Sequence, residues 1–447
     1  MAPSLEVDVA TSPPPQYYPS VIRQKLGENL LSKAPSSTPG GPYADISYEF
    51  DEQKYLKRRD ARVKAGGLRT DLPEGWPKAF YGPLAWKKSD ISDNFPFIYN
   101  LGDCEKKEID LALKYCKGLG KKGSDVTQSS FPLPNLSEKL GEIRDNLYRG
   151  RGFSTIRGLD VDKYSPDDLV IVYLGITSYI GEIRGKQNQD GVMMINVMNI
   201  SDEAEKENAK LHMPFHTDLV CDTVGLLTVA CGEGGGSGFV ASAWTVYNEL
   251  AATRPDLIHV LAEPDWPFDT HGRDPAYYKR ALMYHEDGKL LVNFSKQSLV
   301  GQNSVNPRTK GIPGLTEAQA EALDALDYIG SQNEVNQISM KGDIRLFNNL
   351  ALMHRRAPYT DSGNNYRHLL RLWIHNESEC WRLPEDLRVA WDRTFRDNER
   401  PEEWHFAKID EDRRRYVTPL WRNEDPDTPR PTSPPPCKPV PACLMCD

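Results

Sequence analysis

The 447-residue sequence predicts an α+β fold in which helices pack around a sheet or barrel. Two observations carry this. Helical patterns come first along the chain and short apolar strands mostly follow, with helical insertions between them, an order that disfavours repeating βαβ units. Neither G-x-G-x-x-G nor G-x-x-x-x-G-K-[ST] occurs, which removes support for nucleotide-binding folds.

The helices have legible starts. Ser165-Pro166-Asp167-Asp168 supplies a capping serine, a first-turn proline and acids before an apolar run that ends near Ile180. Thr316 to Gln319 forms a capping box, followed by Ala320, Leu323, Leu326 and Ile329 at helical spacing. Leu136, Leu140, Ile143 and Leu147 mark another helix. Strands are expected at Val192–Met198, Val224–Ala230, Leu290–Phe294, Val335–Met340, Ile344–Phe347 and Leu369–Ile374. His285 precedes Glu286-Asp287-Gly288, a hairpin-turn pattern, and His259 lies in a helical run.

Length permits one large domain or two ordinary ones. Residues 1–45, rich in Pro, Ser and Gly, are expected to lack stable structure until they dock. Residues 46–95 mix charges with scattered aromatics and read as an irregular arm over the core. A single domain is expected over 46–425, and 426–447 is expected to form a Pro- and Cys-rich flexible tail. Hydrophobic residues make up 39% of the chain, enough for a sizeable core. The net charge of −9 offers no basic face for nucleic acid. No apolar run is long enough to cross a membrane, and no basic stretch followed by an apolar run opens the chain, so a cytoplasmic protein is expected. The eight cysteines then read as thiols. Cys437, Cys443 and Cys446 have the spacing C-x5-C-x2-C but lack the fourth ligand of a structural zinc site.

His216-Thr217-Asp218 is the first chemical signal. On extended backbone, residues two apart point to the same side, so an imidazole and a carboxylate can reach one metal. Two histidines and one carboxylate leave open positions on Fe(II), as oxygen chemistry requires. The pattern needs a distant second histidine. His354 is the best candidate, because it ends a strand–turn–strand pattern that begins at Gly342. Thirteen residues later comes Arg367, with Leu369 and Arg371 on the same strand face. Two inward guanidiniums are costly unless they meet anions, and the planar fork of arginine suits a carboxylate. A pair of structural salt bridges is the alternative.

Three blocks resemble the taurine dioxygenase (TauD/TfdA-type) superfamily of Fe(II)/2-oxoglutarate-dependent oxygenases, especially its fungal members. They are Arg151 to Leu159 with Tyr179-Ile180-Gly181, then His216-Thr217-Asp218 with Gly235-Gly236 and Ala241 to Leu250, then His354 to Trp373. The resemblance covers roughly residues 95 to 385. It implies a double-stranded β-helix (jelly-roll) core flanked by helices. It also implies iron held by His216, Asp218 and His354, the distal carboxylate of 2-oxoglutarate on Arg367, and an acidic group of the substrate on Arg371. Relatives usually carry a Thr or Ser shortly after the glycine pair. Here that position is Gly238, preceded by Ser237, so either Ser237 binds the cosubstrate or the contact is lost. Ile344 and Phe347 are expected either as apolar pocket wall or as plain core.

The implied activity is oxidation of an unactivated C–H bond, driven by Fe(II), 2-oxoglutarate and O2. The expected substrate is a small molecule with an anionic group, such as an amino acid of fungal secondary metabolism. Hydroxylation, desaturation and ring closure (to an aziridine, for example) all stay open. The rival readings are a protein or peptide side-chain hydroxylase, an inactive jelly-roll binding protein, and a zinc hydrolase, which leaves Arg367 unexplained.

Overall fold

Among the described residues, four helices begin at a side-chain cap, supplied by Asp51, Ser165, Ser242 and Thr316. In chain order the helices are α1 (Glu52–Ala65), α2 (Asp103–Gly118), α3 (Leu136–Arg149), α4 (Pro166–Thr177), α5 (Ala243–Thr253), α6 (Pro255–Ala262), α7 (Lys296–Val300), α8 (Glu317–Asn333) and α9 (Glu385–Phe395). The computed structural model describes residues 43–91, 97–198, 212–271, 274–302, 307–361, 366–409 and 415–422, with backbone alone beyond residue 406. Apart from residues 43–45, the expected N-terminal arm and the cysteine-bearing tail lie outside these. Among the described residues, no helix is long and apolar enough to cross a membrane.

Ser165 caps α4, its Oγ accepting from Asp168 N at 3.2 Å. The helix stops at Thr177, short of the expected Ile180, because hydroxyls take over the terminal carbonyls: Thr177 Oγ1 donates to Tyr173 O and Ser178 Oγ to Gly175 O, both at 2.7 Å. At α8 both halves of the capping box form: Gln319 N donates to Thr316 Oγ1 at 3.2 Å and Thr316 N to Gln319 Oε1 at 3.0 Å. The arm over residues 46–95 departs from expectation by containing α1. Its sequence lacks a clear apolar stripe, so periodicity misses it. Charge docks it instead, with Arg58 paired to Glu317 and to Asp324 of α8 at 2.9 Å each.

Eleven strands build the two larger sheets. They are β1 (Ile98–Asn100), β2 (Phe153–Arg157), β3 (Ile183–Arg184), β4 (Ile195–Met198), β5 (Met213–His216), β6 (Thr223–Ala230), β7 (Gly238–Ser242), β8 (Val335–Gln337), β9 (Ile344–Asn348), β10 (Leu352–Arg356) and β11 (His368–His375). One sheet has seven strands in the order β1-β2-β9-β6-β11-β3, with β4 also paired to β11. The other has four, β8-β7-β10-β5. Every pairing in them is antiparallel except β1 with β2. Several expected strands are shorter than their apolar runs. Val335–Met340 pairs only as far as Gln337, and Leu290–Phe294 pairs as Lys289–Val292 in a hairpin with Met283–Glu286. The turn of that hairpin carries Asp287 and Gly288 at φ 49° and 70°, which the sequence anticipates.

Paired residues across a sheet share a face. In the seven-stranded sheet Arg345, Leu226 and Arg371 form one row, and Phe347, Val224 and Trp373 the next row on that face. The alternate positions, Ile344, Leu346, Leu370 and Leu372, face the other way, toward α4. Gly225 lets that helix approach: a Cβ there would meet the Tyr173 hydroxyl at 2.8 Å. The outer face of the four-stranded sheet is covered by α8, where a Cβ on Gly330 would meet the Phe215 ring at 3.0 Å. The inner faces of the two sheets enclose the polar groups described next.

Candidate metal centre

His216 ends β5, and in the antiparallel pairing with β10 its register partner is His354. Register alone brings the two imidazoles together, with ring centroids 4.1 Å apart. Asp218 follows two residues after His216. One ligand atom from each of His216, Asp218 and His354 lies within 4.8 Å of the others, and His354 Nε2 is 3.7 Å from Asp218 Oδ1. Two imidazoles and a carboxylate around one point fit a divalent iron ion.

The surroundings prepare each donor. His216 Nδ1 lies 3.0 Å from Pro214 O, so an N–H donated there leaves the Nε2 lone pair for a metal. His354 is driven to its neutral form, by burial first and then by the charges of His216, Arg371 and Arg345. Trp373 Nε1 donates to Asp218 Oδ2 at 2.5 Å, and Arg371 Nη1 lies 3.4 Å from the same oxygen. That leaves Oδ1 turned toward His354.

Asn349 holds the backbone of this loop. Its Oδ1 accepts from Asp218 N at 2.8 Å, and its Nδ2 donates to Asp218 O at 2.6 Å and Cys221 O at 2.9 Å. Asn348 Oδ1 accepts from Leu350 N and Ala351 N at 3.0 and 3.1 Å, which shapes the turn into β10. Sequence alone shows only turn residues here, because the partner loop is about 130 positions away.

Of the apolar candidates, Phe347 reaches the centre, its ring 4.7 Å from that of His354. Ile344 does not. Strand alternation puts it on the opposite face, fully buried with Leu346, so of its two expected places, pocket wall or plain core, its surroundings are core.

Arg367 enters from the loop before β11. It is buried, its Nη1 has no hydrogen-bond partner, and its guanidinium lies over the Tyr359 ring at 5.3 Å. Burial, reinforced by Arg356 and Arg345, pulls its pKa down to about 9, as expected for a cation whose counter-charge is missing. Gly236, at φ 69°, leaves it room: a Cβ there would meet Arg367 Cδ at 3.1 Å and Nε at 3.2 Å. These features fit an incoming carboxylate.

Arg371 lies deeper. Besides Asp218, it meets Gln187, Nε donating to Oε1 at 3.0 Å. Gln187 in turn donates to the backbone carbonyls of Arg371 and Met193, both at 3.0 Å. Ser237 stands between Gly236 and Gly238, the positions at which an added Cβ would meet Arg367 and Arg345. Sequence reasoning overlooked Arg345, Trp373 and Gln187. For Arg345 the signal was available, since it shares period-two parity with Phe347 on one strand.

Residues 117–373, more than half of the chain, match the taurine catabolism dioxygenase TauD, TfdA family. The chain is 30% identical over 325 residues to the taurine hydroxylase-like protein SAT17 of Stachybotrys chartarum, covering 70% of this chain and 84% of that protein. It is 24% identical over 320 residues to the FR-33289 synthase of Streptomyces rubellomurinus, covering 67% and 91%. Among solved structures it is similar to an asparagine oxygenase in complex with Fe(II), 2S,3S-3-hydroxyasparagine and succinate. That match has a TM-score of 0.49 and 15% identity, and covers 62% of this chain and 93% of the other. The family match runs from α2 to Trp373, the residue that braces Asp218, and on that ground this chain belongs to the taurine catabolism dioxygenase TauD, TfdA family.

Proposed function

We propose that this protein oxidises an unactivated C–H bond of a small carboxylate-bearing substrate, an amino acid of fungal secondary metabolism. As a member of its family it is a 2-oxoglutarate-dependent non-haem iron oxygenase that uses Fe(II), 2-oxoglutarate and O2. We read its two facing sheets as the jelly-roll core, with His216, Asp218 and His354 as the iron ligands. The iron, when bound, supplies the oxidising chemistry at the cost of 2-oxoglutarate, which leaves as succinate and CO2.

The chain's own residues have narrower tasks. Arg367 binds the distal carboxylate of 2-oxoglutarate with its unpartnered guanidinium nitrogen. Trp373 and Asn349 keep the Asp218 carboxylate aimed at the metal position. Phe347 supplies an apolar wall beside His354, which limits water there. Arg371, reaching Asp218 from the same face as Phe347 and Trp373, anchors the acidic group of the substrate near the iron.

The single observation that carries this reading is the cluster of two imidazoles and one carboxylate beside a buried, under-compensated arginine. A zinc hydrolase needs no such arginine, and an inactive binding protein needs no intact set of two histidines and a carboxylate beside it. The test is a screen of free amino acids and small carboxylic acids against purified protein with Fe(II), 2-oxoglutarate and O2, reading succinate. Substrate-stimulated succinate from a small acid is expected. Stimulation by peptides or proteins alone would transfer the protein to the side-chain hydroxylase class, and no turnover or metal binding under any condition would mark an inactive binder.

A further inference from the structure

Arg345 is the polar group that the reading above does not use. It is 3% exposed, on the inner face of β9. Its Nε is buried without a hydrogen-bond partner, and among the described residues its side chain enters no ion pair. Burial pulls its pKa down to about 10 against a weak opposing pull from Asp343. That carboxylate is already committed: it accepts from Arg157 Nε at 2.9 Å and Nη2 at 2.8 Å. A purely structural buried arginine would have an acid or a set of carbonyls around it.

The side chain reaches across the interior to β7. A Cβ added at Gly238 would stand 2.2 Å from Arg345 Nη1, so that position is glycine because the guanidinium occupies the space. Two residues earlier, Gly236 makes the same room for Arg367. Two cations therefore converge on one short stretch, Gly236 to Gly238, and Arg345 is among the charges that depress Arg367. Like charges held together in a buried site are stable only when an anion joins them. The stretch runs from the second glycine of the pair to Gly238, the position at which the resemblance leads one to expect a hydroxyl for the cosubstrate.

We propose that Arg345 is a second binding group for the distal carboxylate of 2-oxoglutarate, pairing with Arg367 and replacing the hydroxyl that Gly238 removes. The proposal rests on the assignment of Arg367 to the cosubstrate. It makes the site a two-guanidinium clamp, selective for a keto acid with a second carboxylate.

The test compares two keto acids on the Fe(II)-loaded protein without oxygen, following the visible absorption of the iron–keto acid chelate. 2-Oxoglutarate has the distal carboxylate; 2-oxopentanoate has the same chelating head without it. Arg345→Met is expected to weaken 2-oxoglutarate about ten- to a hundred-fold, the range for a lost charge-assisted pair, and to leave 2-oxopentanoate unchanged. Arg345→Lys, which keeps the charge but not the fork, is expected to lose less. Melting temperature without cosubstrate should hold or rise in Arg345→Met, because an uncompensated buried charge is gone. Unchanged 2-oxoglutarate affinity, an equal loss for both keto acids, or a lower melting temperature with selectivity intact would overturn the proposal. Arg367→Ala in the same titration separates the failures. If Arg367→Ala is silent, the cosubstrate assignment itself is wrong. If Arg367→Ala weakens 2-oxoglutarate and Arg345→Met does not, only the second guanidinium fails.

Discussion

His216 and His354 are register partners on adjacent antiparallel strands, and their imidazole rings stand 4.1 Å apart. The candidate metal centre is thus a property of strand pairing, and Asp218 completes it from the loop that follows. A one-residue slip of β10 would turn His354 to the other face and dissolve the cluster.

His354→Ala is expected to abolish succinate formation and to lower the iron content of the purified protein well below one per chain. Metal analysis beside a turnover assay checks this. A variant that stays fully loaded with iron would remove His354 from the ligand set.

Arg367→Ala is expected to raise the 2-oxoglutarate requirement by roughly ten- to a hundred-fold, since a charge-assisted carboxylate pair is lost. Iron binding should be nearly unchanged, because no ligand atom moves. Calorimetric titration of iron and of 2-oxoglutarate separately reads the two effects.

Asn349→Ala removes three hydrogen bonds that hold the Asp218 loop. Left unsatisfied and buried, their partners cost about 1 kcal/mol or more each, so a stability loss of at least about 3 kcal/mol is expected. Iron affinity should fall too, because Asp218 is no longer held. Urea unfolding and iron titration provide the two readings.

Lys296→Met tests how the four-stranded sheet is braced from behind. Lys296, 1% exposed, lies 3.0 Å from Asp324 and 3.3 Å from Asp327, and Asp327 accepts from Phe215 N at 2.8 Å. Removing the cation leaves two buried carboxylates without it, a loss of about 3–5 kcal/mol. A much smaller loss in urea would show that Arg58 compensates Asp324 by itself.

Gly236→Ala puts a side chain on backbone at φ 69° and against Arg367. A destabilisation of about 1 kcal/mol is expected from the backbone alone. The displaced guanidinium should weaken 2-oxoglutarate further while iron binding holds, and the titration used for Arg367→Ala detects it.

Much of this was written locally. Ser165 and the Thr316–Gln319 box start their helices because a cap acts over three residues, and the period of apolar residues marks α3 and α8. H-x-D, the distant His354 and the alternating arginines are likewise short patterns with their own chemistry. What lay beyond them needed partners far along the chain. Helix α1 is held by acids some 260 positions away. Ile344 and Phe347 look alike in sequence, and only the choice of inner face separates wall from core. The sequence leaves open whether Ser237 binds the cosubstrate or the contact is lost, and only the fold shows that both glycines beside it make room for arginines. By itself, then, the sequence singled out side chains whose types suit the proposed chemistry, because periodicity and residue type are local. The tertiary structure decided which of them meet, and it added Arg345, because register and the facing of two sheets join residues that no local rule connects.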